Sequence, residues 1–250
     1  PAGAAMMAER PFRAPHHTIS AVGLVGGGTV PRPGEVTLAH LGVLFLDEVC
    51  AFSPAALDAL RQPLEEGTVD ITRGMMTARF PARPLLVCAG NPCPCGYDGD
   101  ADRPCTCPPG RATAYRARLS GPIMDRIDLH LTVPRLESGD IVGQVQGGEE
   151  SVVVRSRVIA ARARAAARGQ TVANGLLPAA AARAVCVLEG PEEALLRRAV
   201  DRYALSARAY DRLLRVARTI ADLEGVERVE TRHLTEALGY RLPSADRMAA

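Results

Sequence analysis

The chain has 250 residues, 47% of them hydrophobic, and a formal net charge of +2. That is enough apolar material for one large or two ordinary domains; it excludes a chain disordered by composition, and no run of 18 apolar residues suggests a membrane span. All 30 basic residues are arginine, so a phosphate-binding loop of the form G-x-x-x-x-G-K-[ST] is excluded within these residues.

The charge is uneven. Residues 1–150 carry 13 Arg against 17 acids, and residues 151–250 carry 17 Arg against 11 acids. A basic second part permits contact with nucleic acid, although solvent satisfies Arg-rich helices equally well. Pro1 to Arg10 lacks a charged start and a cleavage pattern, so no signal peptide is expected. The chain does not begin with Met, and it is expected to be the later part of something longer.

Residues 1–10 suit the end of a helix. Prolines at 11 and 15 then forbid a continuous helix, and Pro11 to Ser20 reads as extended chain. His16-His17 suits polar loop contacts better than a metal, because adjacent side chains diverge and no Cys lies near. Gly23 to Gly28 mimics the glycines of a phosphate loop, but Thr29 and Val30 stand where Lys and Ser/Thr belong. It is expected to be a turn or hairpin, followed by a short helix over Glu35 to His40.

Leu44-Phe45-Leu46 is a short apolar run that suits a strand buried on both faces of a parallel sheet. It runs straight into Asp47-Glu48. Acids at that point have a task, because an unpaired buried charge is costly. The carboxyl ends of parallel strands are where ligands bind in open α/β sheets. The chemistry that fits is a hydrolytic nucleotide site, with Asp47 holding Mg²⁺ and Glu48 polarising the attacking water. A solvated acidic turn is the plainer alternative.

Ser53-Pro54 starts a helix, with leucines at 57, 60 and 64 on one face and Gly67 as its stop. Pro63 should break its last turn. Thr68 to Thr72 and Thr77 to Ala82 form a hairpin around Arg73-Gly74. Pro84 to Ala89 is a second buried strand, ending at Gly90-Asn91-Pro92, which places Asn91 at the same sheet edge as Asp47. Cys93, Cys95, Cys105 and Cys107 follow as two C-x-C pairs. Four thiols separated by Gly and Pro can converge on one tetrahedral Zn²⁺. A redox pair or local disulfides are the competing readings, and disulfides fit poorly without an export signal. Cys50, Cys88 and Cys186 sit in apolar settings and read as core thiols.

Arg111 to Arg118 starts a helix, and Leu129 to Val133 reads as a third strand. Arg126 before it either pairs with Asp125 or Asp128 or points outward to a neighbour's phosphate. Ser138 to Ser151 reads as a hinge. Helices are then expected from Val152, after Pro178, from Pro191, after Ser206 and from Thr231 to Gly239. In the fourth, Tyr210, Leu213, Leu214, Ala217, Ile220 and Ala221 share one face. Arg208, Arg212 and Arg215 line the opposite one and require solvent, acids or an anion.

Taken together, Phe12-Arg13-Ala14-Pro15-His16-His17, Gly26-Gly27-Gly28, Pro33-Gly34-Glu35, Leu44 to Glu48, Asn91 to Gly96, Leu119 to Pro122, Asp125 to Asp128 and Leu205 to Arg208 occur in an order that resembles the magnesium-chelatase-like AAA+ ATPases, in their ComM (YifB-like) branch. The resemblance covers nearly the whole chain. It implies an α/β fold: a partial AAA+ parallel-sheet core of three αβα layers over 1–137, a hinge over 138–151, and an all-α helical lid over 152–250. By resemblance Asp47 and Glu48 are Walker B, Asn91 is sensor 1, Arg126 is the arginine finger and Arg208 is sensor 2. Residues 11–43 resemble an insert near the central pore.

The cofactors implied are ATP and Mg²⁺, beside the Zn²⁺ read from the cysteines. The partners implied are DNA and copies of the same chain in a hexameric ring, in the cytoplasm. The branch acts as a DNA helicase promoting branch migration, whereas the relatives in chlorophyll synthesis drive Mg²⁺ into a porphyrin; the cysteine cluster favours the former. A non-catalytic zinc-containing assembly module is the third reading. The family's Walker A loop is missing from these residues, so the chain alone is expected to be inactive.

Overall fold

The computed structural model describes residues 9–74, 76–100, 102–119, 121–134 and 148–241. They fall into two compact units, Pro1–Ile127 and Asp128–Ala250. The first unit runs β1 (Phe12–Arg13), α1 (Ala21–Val25), β2 (Gly26–Gly27), β3 (Arg32–Pro33), α2 (Glu35–Leu38), β4 (Val43–Leu46), α3 (Pro54–Ala59), α4 (Arg61–Glu66), β5 (Thr68–Arg73), β6 (Met76–Pro81), β7 (Leu85–Cys88), α5 (Arg111–Arg116) and α6 (Gly121–Met124). The second runs α7 (Ser151–Ala167), α8 (Ala179–Val185), α9 (Pro191–Tyr203), α10 (Ala207–Glu224) and α11 (Thr231–Gly239).

The sheet that matters has the order β1–β4–β7, and both pairings are parallel. Side chains alternate along β4. Leu44 and Leu46 are fully buried, together with Leu24 of α1, Val36 of α2 and Leu57 of α3. Burying each such side chain stabilises by about 1.5–3 kcal/mol. The expectation of two buried faces holds on one. On the other, Val43 and Phe45 are half-buried, while Phe12 and Leu85 are each 64% exposed.

Local chemistry explains the other boundaries. The β5–β6 hairpin turns at Gly74, whose φ of 57° a side chain would strain. Ser53 caps α3, its Oγ accepting from the Ala56 amide at 3.2 Å. The helix then breaks at Leu60 rather than at Pro63 itself. Pro63 has no N–H to offer the carbonyl four residues earlier, and its ring crowds that carbonyl, so the fault falls one turn upstream.

One predicted element is wrong. Leu129 to Val133 forms no strand; the third strand is β1. Leu129, Leu131 and Val133 are exposed, and the His130 amide donates to the Tyr240 carbonyl at 2.7 Å. Alternating apolar residues make a strand only where an edge accepts their backbone, and the His130 amide is already taken within the helical unit; one edge of β4 is held by Phe12-Arg13. The approach is close: a Cβ on Gly42 would lie 1.9 Å from the Pro11 carbonyl oxygen, which accepts from the Val43 amide at 2.8 Å.

The helical unit is built around α10, as its spacing predicts. Ser206 Oγ caps it, accepting from the Ala209 amide at 3.2 Å. Leu213, Leu214, Ala217, Ile220 and Ala221 are buried with Leu196, Leu234 and Leu238. Two charged residues share that buried side. Arg218 and Asp222 are each 1% exposed and pair at 3.0 Å. Most of the hinge expected at 138–151, and most of the helix end expected at 1–10, lie outside the described residues.

Candidate active site

Parallel pairing decides where the acids go. β4 and β7 run in register from Val43↔Leu85 to Leu46↔Cys88, so the residues after each strand emerge at one edge. The ladder continues past them: the Ala89 amide donates to the Leu46 carbonyl at 3.0 Å, and the Val49 amide to the Ala89 carbonyl at 2.8 Å. Asp47, Glu48 and Asn91 are all exposed at this edge. Glu48 has φ 50° and ψ 45°, a left-handed conformation uncommon for a residue with a side chain. Holding it costs about 1–3 kcal/mol, and such strain clusters at functional sites. Asp47 Oδ1 accepts from the Glu48 amide at 2.9 Å, which braces the turn.

β1 brings a residue that the sequence reading left as a polar loop contact. His16 does make such a contact, its Nδ1 lying 2.9 Å from Thr18 Oγ1. His17 Nδ1, however, lies 3.7 Å from Glu48 Oε2, and its ring stands edge-on to the buried Phe52. The signal for it is its place four residues beyond a strand parallel to β4, and Phe12-Arg13 alone does not declare that strand in the sequence.

Among the described residues, Arg126 is held by partners other than Asp125 and Asp128. Its Nη2 pairs with Glu65 of α4, its Nε donates to the Arg61 carbonyl at 3.1 Å and its Nη1 to the Pro122 carbonyl at 2.6 Å. Its side chain is 12% exposed. Asp128 belongs to the helical unit, where its Oδ1 accepts from Arg212 Nη1 at 2.6 Å. Of the three arginines read as one face of α10, Arg208 is exposed in the first turn, Arg212 takes Asp128, and Arg215 is half-buried with no partner for Nε. Burial, and then repulsion from Arg212, lowers the pKa of Arg215.

The cysteines converge. Cys93 is fully buried, and the sulfurs of Cys93, Cys95, Cys105 and Cys107 all lie within 4.8 Å of one another. Hydrogen bonding from the Tyr97 amide is the main influence that brings the Cys95 thiol down to about 5. Around it, the Cys107 amide draws Cys105 down, but burial and the neighbouring thiols push Cys105 up to about 12. Cys50 and Cys186 are buried as core thiols, and Cys88 is half-buried. Burial pushes Cys88 and Cys186 up to about 11 each.

A parallel sheet with paired acids and an amide at one edge, followed by a helical unit with arginines along its central helix, is the architecture of a partial AAA+ core plus a helical domain. Residues 2–141 match the family described as magnesium chelatase, subunit ChlI, and residues 148–241 match its C-terminal counterpart. The chain belongs to this family. It is 46% identical over 234 residues to the competence protein ComM of Haemophilus influenzae, covering 93% of this chain and 45% of that protein. It is 44% identical to the uncharacterized protein YifB of Escherichia coli, covering 93% of this chain and 46% of that one. An uncharacterized protein of Mycobacterium tuberculosis is 40% identical over 256 residues, with 97% and 48% covered. The chain thus spans about half the length of these relatives.

Proposed function

We propose that this chain forms the hydrolytic edge and lid of an ATP-driven DNA motor of the ComM type, a branch-migration helicase serving recombination. The observation that carries the reading is the register of β4 and β7, from which Asp47, Glu48 and Asn91 leave at one sheet edge. Phosphoryl transfer asks a protein mainly for positioning and charge stabilisation. Asp47 offers the hard, exposed carboxylate that would hold Mg²⁺. That ion would neutralise charge on the phosphates. Glu48 polarises the attacking water, and the Asn91 amide orients it. Arg208 is assigned to the γ-phosphate by the family resemblance.

Arg126 acts on ATP held by the adjacent subunit, so the reading requires an oligomer, proposed as a hexameric ring. To do so its guanidinium exchanges Glu65 for phosphate oxygens. No lysine occurs in the 250 residues. The phosphate loop is therefore assigned to the further length that the relatives possess. DNA as the substrate draws support from the excess of arginine over acid in residues 151–250, 17 against 11. A cytoplasmic setting belongs to the same reading. Among the described residues no helix is long and apolar enough to cross a membrane.

The test is ATP-dependent unwinding of branched DNA by the complete gene product, run beside Mg²⁺ insertion into a porphyrin. Unwinding without insertion supports the motor. Insertion without unwinding moves the assignment to a chelatase, and ATP turnover in neither case leaves a non-catalytic assembly module.

A further inference from the structure

The four cysteines form a site that nucleotide hydrolysis does not use, and we propose that it binds a single Zn²⁺ that staples the segment following Asn91 into shape. The sulfur separations are 3.3 Å for Cys93–Cys95, 3.7 Å for Cys93–Cys105 and 3.5 Å for Cys95–Cys105. A tetrahedral Zn²⁺ with Zn–S bonds of about 2.3 Å holds its ligands roughly 3.8 Å apart. A disulfide needs about 2.05 Å, and all seven cysteines are unbonded. Four thiolates around one centre select Zn²⁺ over the hard cations, which take oxygen ligands. Cys107 completes the set within the same 4.8 Å.

The fold also requires something at this place. Between β7 and α5, residues 89–110 form turns and no helix or strand among the described residues. Irregular segments longer than about 12–15 residues are uncommon in compact domains and have a reason to exist. Hydrophobic burial does not supply the order, because Cys93 is the only buried side chain described from 90 to 110. Other ties come from α5: Arg116 Nη1 donates to the Pro92 carbonyl at 3.0 Å and pairs with Asp98. They bracket the first cysteine pair, and the second is tied back through side chains such as Arg103, whose Nη1 donates to Tyr97 Oη at 3.1 Å. A metal that joins the two pairs closes the loop, and binding free energy then becomes folding free energy.

The consequence for the active site follows from distance along the chain. Asn91 lies two residues before Cys93. Fixing Cys93 and the Pro92 carbonyl fixes how the chain leaves β7, and so where the Asn91 amide stands. This second part rests on the reading of Asn91 as the group that orients water; the zinc site itself does not.

The test begins with elemental analysis of the 250-residue chain purified without added metal. About one zinc per chain is expected, retained by Cys186→Ala and lost by Cys95→Ser with Cys105→Ser. Less than about half an equivalent, iron in place of zinc, or zinc retained by the double variant overturns the site. If the double variant does not fold, the wild type carries the test. Cobalt(II) added after chelation should give the intense visible bands of a tetrahedral thiolate site, and a weak octahedral spectrum overturns the proposal. In the complete gene product, chelation should lower kcat by about tenfold or more with little change in nucleotide Kd, since an ångström of misplacement costs up to ~100-fold. Zn²⁺, and not Mg²⁺ alone, should restore it. Zinc bound with kcat unmoved by chelation removes the link to Asn91 and leaves the metal site standing. No turnover in zinc-loaded protein counts against the nucleotide reading instead.

Discussion

Replacing Asp222 with alanine should destabilise the helical unit severely. The carboxylate is 1% exposed and accepts from Arg168 through two bonds of 2.6 Å, from Asn174 at 2.8 Å and from Arg218 at 3.0 Å. Arg168 is 24% exposed and can turn to water once its partner is gone. Arg218 cannot. It would keep only the Glu227 and Val226 carbonyls, with a buried Nε that already lacks a partner. Removing one member of a buried pair costs about 3–5 kcal/mol. At roughly 4 °C per kcal/mol for a unit of this size, the melting temperature should fall by about 12 °C or more. Urea unfolding followed by far-UV circular dichroism measures the change. A loss below about 1 kcal/mol would refute the reasoning, because it would mean that Arg218 finds water or another anion. Combining Asp222→Leu with Arg218→Met should recover much of the loss, since an apolar pair leaves no orphaned charge.

The same carboxylate sets a pH dependence. Burial, the largest influence, pushes Asp222 up, but the bonds from Arg168 and Asn174 and the charge of Arg218 outweigh it and hold its pKa below the ordinary value. A depressed folded value means that the native state binds the proton more weakly than the unfolded chain does. The stabilisation is therefore full above the unfolded value of about 3.9 and is lost as pH falls through the lower folded one. The gap in stability between wild type and Asp222→Ala should be constant from about pH 7 to about pH 5 and shrink below about pH 4.

Other expected outcomes follow from the sheet unit. Gly42→Ala should detach β1 from β4, since its Cβ would meet the Pro11 carbonyl oxygen at 1.9 Å; hydrogen exchange at the Val43 amide reports it, and unchanged protection would contradict it. Arg126→Ala in the complete gene product should abolish ATP turnover with nucleotide binding intact. Mixing that variant with Glu48→Gln protein should restore some turnover at hybrid interfaces, and no rescue at any ratio would argue against action between subunits. The 250-residue chain alone should bind ATP weakly or not at all, having no lysine to meet the phosphates; micromolar affinity by calorimetry would overturn this.

Elements with local chemistry were legible in the sequence. The caps at Ser53 and Ser206, the Gly74 hairpin and the apolar stripe of α10 each declare themselves within a few residues. The shared edge of Asp47 and Asn91 was legible too, because two apolar runs ending in polar residues constrain each other once they pair in parallel. What failed was long-range competition. Phe12-Arg13, a two-residue strand close to Pro11 and Pro15, carries almost no strand signal, yet it pairs with β4, whereas Leu129 to Val133 joins no strand. Arg218 and Asp222 lie four apart, a spacing that carries no signal of burial by itself. Only the arrival of Arg168 and Asn174 from elsewhere in the chain makes their burial affordable. His17 was missed for the same reason as β1: its proximity to Glu48 depends on which strand neighbours β4.

The most direct test of the hydrolytic edge is Glu48→Gln in the complete gene product, with bound nucleotide and turnover measured on the same sample. The account predicts ATP retained unhydrolysed and turnover lower by about 10²–10⁴-fold, the usual contribution of a positioned acid–base group. Turnover within about twofold of wild type would be far below that contribution, and it would remove Glu48 and the edge it shares with Asp47 and Asn91 from the chemistry.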